Sequence, residues 1–239
     1  MTEPTAPAVR VVELTFAYPD GTGALNGVNL QIAPGERVAV LGPNGAGKST
    51  LMLHLNGVLT ATSGQVHIGG VRLDRNSVRA IRQRVGVVFQ DPDDQLFMPT
   101  VEQDVAFGPA NFGVRGEALA EHVREALAAV GMTDRAGRSP AHLSLGERRR
   151  AALATVLSCR PEVLVLDEPA ANLDPVARRE LAEILLSLPT TMLVVTHDLP
   201  YAQRICERVV ILDAGEVVAD GPTADILGDA ALLAEHRLS

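Results

Sequence analysis

Short apolar runs of strand length alternate with segments of helical periodicity along most of the chain. Apolar runs of four to eight residues between turn signals predict buried strands. They comprise Val9–Phe16, Asn29–Ile32, Arg37–Leu41, Gln65–Ile68, Val85–Phe89, Val163–Leu166, Met192–Thr196, Val209–Leu212 and Glu216–Ala219. Strands and helices that alternate in this way predict an α/β fold, with helices on both faces of a parallel sheet.

Helical patterns are clearest in the second half of the chain. Glu117–Val130 carries apolar residues at helical spacing, and a further helix is expected from just after Gly146 to about Ser158. Pro175–Leu188 reads as a helix with Asp174 as its N-cap and Pro175 at its first position. Prolines and glycines break the pattern before these helices, at Pro92, Pro99, Gly108, Pro109, Gly113 and Gly116. We therefore expect residues from about 90 to 155 to form a mostly helical insert.

Composition narrows the classes of function. The chain has 239 residues and a net charge of −8, which argues against a surface dedicated to nucleic acid. Cys159 and Cys206 stand far apart without metal-ligand spacing, so a reducing compartment is the default. The first eight residues lack the apolar segment of a signal peptide, and no apolar run approaches the ~18 residues that span a bilayer. Attachment to a membrane would therefore require a partner.

The eight residues after the Arg37–Leu41 strand, Gly42–Ser49, fit the phosphate-loop motif G-x-x-x-x-G-K-[ST] and run into a helix. Glycines let backbone N–H groups turn toward a phosphate, and the helix start adds its positive dipole end. Lys48 is expected to reach the β and γ phosphates, and the Ser49 hydroxyl to hold Mg²⁺. The predicted ATP-binding residues of this loop are Gly42, Pro43, Asn44, Gly45, Ala46, Gly47, Lys48, Ser49 and Thr50.

Polar residues follow two further strands. Asp167 and Glu168 end the Val163–Leu166 run, and parallel strands bring such residues to the ligand side of the sheet. Asp167 is expected in the Mg²⁺ shell, and Glu168 is expected to polarise an attacking water. Taken alone, the pair could equally be two solvated acids at a strand end. His197 follows Met192–Thr196 and could orient the water or Glu168, although a lone histidine there more often faces solvent.

The segment Leu143, Ser144, Leu145, Gly146 and Glu147 resembles the signature loop of ABC-type ATPases. The resemblance implies a P-loop NTPase of the ABC ATPase fold, with a RecA-like parallel core, antiparallel edge strands and an inserted helical subdomain. In that family the loop opens a helix and meets ATP held by a second copy, so Ser144 and Gly146 would touch the γ-phosphate across a dimer. A helix start offers N–H donors and a positive dipole to such an anion.

Other positions match the same family in order along the chain. Tyr18 stands where an aromatic ring stacks on adenine, and Gln90 matches the loop that senses Mg²⁺ and the nucleophilic water. His197 matches the switch histidine. Asn172, Leu173 and Asp174 match the loop that crosses the dimer seam. The resemblance covers about residues 9–225 and implies ATP and Mg²⁺ as cofactors.

The signature loop departs from the commonest family pattern at two positions. Leu145 replaces a glycine and Glu147 replaces a glutamine. Leu145 removes backbone freedom, and Glu147 adds a carboxylate near a triphosphate while occupying a favourable first helical turn. Ser144 and Gly146 carry the main contacts, so activity is expected to survive. The residues after the acid pair, 169–172, also differ mildly from the usual run.

The resemblance also implies a division of the chain. Residues 1–8 are expected to form a flexible tail and 9–221 the ABC ATPase domain, followed by a short helical tail over 222–239. Within that domain the core lobe would take about 9–89 and 156–221, and the helical subdomain about 90–155.

Two stretches, Gln90–Phe97 and Thr100–Pro109, look like the ATPase of energy-coupling-factor importers for cobalt, nickel or a vitamin. There they lie where the membrane subunit's coupling helices dock. The alternative for these stretches is an acidic surface turn followed by an ordinary amphipathic helix.

The expected function is an ATP-hydrolysing motor at the cytoplasmic face of the cell membrane. It would form a homodimer, or a heterodimer with a paralogous ATPase, around two ATP molecules. A transmembrane coupling subunit and a substrate-binding membrane component would be its partners, with no role for nucleic acid. The alternatives are the ATPase of another ABC importer class and a soluble ABC ATPase outside transport; a P-loop kinase would not need the 143–147 loop.

Overall fold

Two β-sheets organise the computed structural model, which describes residues 6–238. Residues 1–5 of the expected N-terminal tail lie outside the described residues. The first sheet is antiparallel, with strand order β2-β1-β4-β5. Its strands are β1 Val9–Ala17, β2 Gly23–Ile32, β4 Ser63–Ile68 and β5 Val71–Arg72.

The second sheet has six strands in the order β10-β9-β3-β8-β7-β6. Five are parallel, and β10 pairs antiparallel with β9 at the edge. The strands are β3 Arg37–Leu41, β6 Val85–Val88, β7 Val163–Asp167, β8 Thr191–Val195, β9 Arg208–Asp213 and β10 Glu216–Pro222. The strand predictions are confirmed, with ends that differ by a few residues at most except in β2, which begins six residues earlier.

Nine α-helices occur within residues 6–238. They are α1 Lys48–Leu55, α2 Val78–Arg84, α3 Val101–Asn111, α4 Gly116–Ala129, α5 Leu145–Leu157, α6 Pro175–Ser187, α7 Leu199–Ile205, α8 Thr223–Gly228 and α9 Ala230–Glu235. None of these helices combines the length and the apolar composition needed to cross a membrane.

The parallel sheet is buried on both faces because its strands alternate between two hydrophobic clusters. Val38 and Val40 of β3 join the cluster that contains the antiparallel sheet and α1. Ala39 and Leu41 join the cluster formed with the helices between β6 and β7 and with α6 and α7. Uniformly apolar strands are therefore required at the centre of this sheet.

The prediction that Gly108 and Pro109 interrupt the helical pattern was wrong, since both residues lie inside α3. Proline lacks an N–H, so the carbonyl of Val105 loses its helical donor. The buried Ser158 hydroxyl donates to that carbonyl over 2.8 Å. A side chain from α5's C-terminal end thus replaces the missing backbone bond and lets the helix continue.

The parallel topology brings the carboxyl ends of β3, β6, β7 and β8 to one edge of the sheet. In the register of the sheet, Val195 at the end of β8 lies beside Val40 of β3 and Asp167 of β7. The segments that follow these strands are the phosphate loop, Gln90, the acid pair and His197. Ligands of open α/β sheets bind at this edge.

Candidate functional site

The loop between β3 and α1 is folded by its glycines. Gly45 and Gly47 adopt left-handed backbone angles, with φ of 81° and 102°. A side chain at Gly47 would also overlap the carbonyl oxygen of Ala24. Position 47 therefore accepts only glycine. The backbone that results leaves N–H groups of the loop free to face an anion.

Lys48 folds back over this loop. Its Nζ donates to the carbonyls of Gly42 and Pro43, over 2.7 and 2.9 Å. Burial lowers the pKa of Lys48, and the charges of Glu168 and Asp167 oppose that shift. Lys48 is also the only lysine among the 239 residues. The one ammonium side chain of the chain thus stands in the phosphate loop, beside two acids.

Asp167 and Ser49 place two oxygen atoms side by side. The Ser49 hydroxyl donates to Asp167 Oδ2 over 3.4 Å. Burial is the main cause that raises the pKa of Asp167, and the neighbouring Glu168 charge raises it further. A hydroxyl and a carboxylate are hard oxygen donors, so this pair fits a divalent cation such as Mg²⁺.

Glu168 is held at the end of β7 by three contacts. Its backbone has a positive φ of 45°, and its N–H donates to Val195 O over 2.8 Å. The Thr196 hydroxyl donates to Glu168 Oε2 over 3.0 Å, and His197 Nδ1 lies 2.7 Å from Oε1. The Glu168 side chain is 12% exposed, whereas that of His197 is 73% exposed. The carboxylate is therefore oriented from one side by a neutral donor and from the other by an accessible imidazole.

Most of the predicted ATP-binding residues line one cleft of about 370 Å³. Tyr18 belongs to this lining, with its hydroxyl 2.9 Å from Thr50 Oγ1 and its ring edge-on to Phe16. Gly42 and Pro43 do not line the cleft but hold Lys48 from behind. The predicted residues that share the cleft are Tyr18, Asn44, Gly45, Ala46, Gly47, Lys48, Ser49, Thr50, Gln90, Asp167 and Glu168.

Gln90 and Asp167 also line a neighbouring cleft of about 400 Å³. This second cleft is bounded by Leu145 and Asn172. Leu145 of the signature segment and Asn172 of the predicted seam loop therefore line the same cleft as Gln90. Ser144 and Gly146 line neither cleft, so within one copy they stand apart from the phosphate loop.

The signature segment is built as a helix start. Ser144 is the N-cap of α5, and its side chain and that of Glu147 form a reciprocal capping box, with distances of 3.2 and 2.9 Å. Glu147 also accepts a bond from Arg135 Nε over 3.0 Å. The Ser144 backbone N–H and this guanidinium lower the pKa of Glu147 to about 2. The acidic replacement at position 147 is therefore neutralised locally.

The predicted seam loop leads into α6. Asn172 has a positive φ of 62°, and Leu173 packs against the hydrophobic core. Asp174 caps α6 as predicted, by accepting the N–H groups of Val176 and Ala177 over 2.8 and 3.0 Å. A side chain at Gly146 would lie 2.8 Å from Ala177 Cβ, so the starts of α5 and α6 are adjacent.

Sequence reasoning missed Arg149, which is only 3% exposed. Its guanidinium donates to Phe89 O over 3.5 Å and to Ala171 O over 3.2 Å. Burial lowers its pKa, while Asp91, Asp167 and Glu168 favour its charge. Arg149 precedes the apolar Leu153 by four residues, so the two side chains lie on the same buried face of α5. This spacing was the signal in the sequence that Arg149 is buried.

Comparisons with known proteins agree with this geometry. The family model described as ABC transporter matches residues 25–171. A Streptomyces coelicolor protein with the provisional name of an ABC transporter ATP-binding protein is 60% identical over 236 residues, covering 98% of this chain and 91% of its own. The energy-coupling factor transporter ATP-binding protein EcfA of Methanothermobacter thermautotrophicus is 48% identical over 235 residues, covering 96% and 76%.

Solved structures give the same result for the fold. CbiO1 from Clostridium perfringens, part of the ABC transporter complex CbiONQ, superposes with a TM-score of 0.87 at 36% identity, covering 98% of this chain and 95% of that one. The ATP-binding cassette MJ0796, as a dimer bound to ADP and phosphate, gives 0.79 at 30% identity, covering 90% and 98%.

The chain belongs to the ABC transporter family and is an ABC-type ATPase. The predicted fold class and the resemblance to energy-coupling-factor ATPases are confirmed.

Replacement of Lys48 by alanine should weaken ATP binding by about tenfold or more, since it removes the ammonium that is expected to contact the phosphates and both carbonyl bonds within the loop. Fluorescence titration with a nucleotide analogue would measure this. Arg10→Ala, which removes an exposed cation from β1, should bind like the wild type. Unchanged affinity in Lys48→Ala would contradict the assignment of the loop.

Glu147→Ala should destabilise the protein by about 1 kcal/mol at pH 7, because it removes half of a capping box and the pair with Arg135. The folded state lowers the Glu147 pKa to about 2 from 4.5, so the ionised side chain stabilises above the unfolded pKa. The difference from the wild type should therefore shrink as pH falls from 4.5 toward 2. Urea unfolding at several pH values would measure this difference in the free energy of unfolding. A difference that does not change with pH would contradict a stabilising role for the ionised Glu147 side chain.

Proposed function

We propose that this chain is the ATP-hydrolysing motor subunit of an energy-coupling-factor-type ABC importer. The observation that carries the proposal is the meeting of the phosphate loop, Asp167 and Glu168 in one cleft at the carboxyl edge of the parallel sheet. The similarity to EcfA and to CbiO1 supports the importer class.

In this proposal the nucleotide lies along the cleft from Tyr18 to Glu168. The Tyr18 ring stacks on adenine, and the loop from Gly42 to Thr50 surrounds the phosphates with N–H donors. Lys48 leaves its carbonyl partners and pairs with the β and γ phosphates. Its present bonds hold the ammonium close to where those phosphates bind.

Glu168 acts as the general base toward the attacking water. Its carboxylate already accepts the Thr196 hydroxyl and faces His197, so its orientation is fixed before substrate arrives. His197 shares that carboxylate and stands exposed, where it contacts the γ-phosphate region. Gln90 lines the same cleft as the phosphate loop and orients the water.

Ser49, Asp167 and Gln90 would hold Mg²⁺ through oxygen atoms. When bound, the metal supplies positive charge that offsets the negative charge of the phosphates during transfer.

The signature loop acts on ATP bound to a second chain. Ser144 and Gly146 line neither cleft of their own copy, which leaves the N-terminal end of α5 available to another molecule. Asn172, Leu173 and Asp174 lie at the start of α6, next to α5, and would form part of the same seam. The dimeric MJ0796 cassette supports this arrangement, either as a homodimer or with a paralogous ATPase.

The membrane partner would dock at α3. Phe97 and Phe107 are 61% and 42% exposed and pack edge-to-face with ring centres 4.9 Å apart. Beside them an apolar groove of about 380 Å³ is lined by Met98, Pro99, Ala106 and Ala110. Exposed aromatic pairs next to a groove are typical of interface hot spots. The groove fits a coupling helix of a transmembrane subunit.

A substrate-binding membrane component would select the cargo, for which cobalt, nickel or a vitamin are the classes expected from the resemblance. The ATPase would then work at the cytoplasmic face of the cell membrane, held there by its partners.

Glu168→Gln should bind ATP normally and lose turnover by about 10²-fold or more, because the base is removed while the phosphate loop is intact. Phosphate release would measure turnover, and size-exclusion chromatography with ATP should reveal a stable dimer. Glu162→Gln, which changes the residue directly before β7 instead of the one directly after it, is the control and should turn over normally. Wild-type turnover in Glu168→Gln would remove Glu168 as the base.

Phe97→Ala combined with Phe107→Ala should abolish co-purification of the transmembrane subunit from the chain's own membranes, since aromatic anchors often contribute about 2 kcal/mol or more each. The ATPase rate of the isolated variant should equal that of the wild type. Leu186→Ala removes an exposed apolar side chain from α6 and should retain the membrane partner. Full recovery of the partner with the double variant would contradict docking at α3.

A further inference from the structure

A cavity of about 400 Å³ lies between the C-terminal end of α1, strands β4 and β5, and helix α2. It shares no lining residue with the phosphate-loop cleft. None of the residues to which the proposed function gives a role lines it. Its size falls in the range of small-molecule sites, about 300–1,000 Å³.

The mouth of this cavity is positively charged. Three arginines, Arg72, Arg75 and Arg82, line it together with a single acid, Asp74. This local excess of positive charge occurs in a chain whose net charge is −8. The acid offsets one of the three positive charges, and its Oδ1 accepts the N–H groups of Asn76 and Ser77 over 2.8 and 2.9 Å.

The three arginines differ in the hydrogen bonds that they make within the protein. Arg82 donates to the carbonyls of Asn56 and Gly57 at the end of α1, over 3.3 and 2.9 Å. Arg72 and Arg75 are exposed at the rim. Guanidinium groups recognise carboxylates and phosphates by paired hydrogen bonds, so these two side chains are suited to bind an oxyanion.

The inner wall of the cavity is apolar apart from one buried histidine. Val66 is 5% exposed, and Leu73 and Val78 are half-buried. His54 is 1% exposed, and its Nδ1 lies 2.8 Å from Thr50 O, so Nδ1 carries the proton. His54 Nε2 is buried without a hydrogen-bond partner. A buried acceptor left unpaired is uncommon, and it makes His54 the one polar residue of this inner wall.

We propose that this cavity binds a small organic oxyanion, with a phosphate or carboxylate at Arg72 and Arg75 and a compact apolar body against Val66, Leu73 and Val78. The charged rim and the apolar wall match the two ends of such a molecule. A purely apolar ligand would leave the arginines unused, and an inorganic ion would leave the wall unfilled.

Occupancy of the cavity would act on the nucleotide cleft through His54, a step that rests on the proposed function. His54 contacts the carbonyl of Thr50, whose hydroxyl is bonded to Tyr18. The Phe16 ring packs edge-on to both His54 and Tyr18, with centroid distances of 4.8 and 5.0 Å. A ligand that restrains His54 would restrain Tyr18 as well, so ATP would bind with a smaller loss of entropy.

Phenyl phosphate is the first probe, with benzoate and neutral phenol as comparisons. Calorimetric titrations would use the full chain saturated with a non-hydrolysable ATP analogue, so that the phosphate loop is filled. Phenyl phosphate or benzoate should bind, and the one that binds identifies the anionic group. Arg72→Glu combined with Arg75→Glu should weaken binding by about tenfold or more, because charge-assisted bonds are lost.

Arg10→Glu reverses one charge, half of the change in the double variant, in the same sheet as Arg72 without lining the cavity, and it should leave probe binding unchanged. Equal binding of phenol, no binding of either anion, or equal binding to the double variant would overturn the site. Loss of the probe when the nucleotide analogue is added would assign it to the phosphate loop and also overturn the site. These titrations involve no hydrolysis, so their outcome is independent of turnover.

The coupling has its own measurement. Saturating probe should tighten the binding of the nucleotide analogue, and the analogue should tighten probe binding by the same factor, as linkage requires. Tyr18→Phe keeps the ring contact with Phe16 but removes the bond to Thr50, so it should reduce the tightening while probe affinity measured without nucleotide stays unchanged. Identical nucleotide affinity with and without the probe would overturn the coupling.

Discussion

The site depends on the absence of side chains at two positions of the phosphate loop. A Cβ at Gly42 would overlap the carbonyl oxygen of Leu212 in β9, and one at Gly47 would overlap that of Ala24 in β2. The loop therefore lies directly against the backbone of both sheets. The turn after β9 completes this contact, because Gly215 donates to Ala46 O over 3.1 Å and accepts from Asn26 N over 2.8 Å. The position of the phosphate loop is thus fixed by backbone contacts.

Hydrogen bonds from a buried arginine join the segments that follow β6 and β7 to helix α5. Arg149 of α5 donates to Phe89 O after β6 and to Ala171 O after the acid pair. A buried guanidinium is stable only when its donors and its charge are compensated, here by carbonyls and nearby acids. The helix that begins with the signature segment is therefore held to the walls on both sides of the second cleft. A movement of α5 would be transmitted to Gln90 and to the loop before α6.

The parts of this fold that the sequence predicted are those with local causes. The phosphate loop, the Asp174 cap and the apolar strands each follow from neighbouring residues, and the structure agrees with them. Pro109 was misjudged because its cost is removed by Ser158, which is 49 positions away in the chain and adjacent only in the folded state. Arg149 was missed for the same reason, since its partners come from two other segments. Local patterns therefore locate the site, but long-range hydrogen bonds decide how the helices attach to it.

The capping box explains how the signature segment accommodates its two unusual residues. Leu145 follows the N-cap, where right-handed helical angles suit any residue, so the freedom of glycine is not needed. Glu147 directs one oxygen to the Ser144 N–H and the other to Arg135, so both of its carboxylate oxygens are engaged within the same copy. The Ser144 hydroxyl is likewise used, as the acceptor for Glu147 N–H. The O–H of that hydroxyl is still free to donate to an incoming γ-phosphate, and the N–H of Gly146 needs no partner within the first helical turn. The Ser144 hydroxyl and the Gly146 N–H are therefore the two donors that this version of the segment would offer to a second chain.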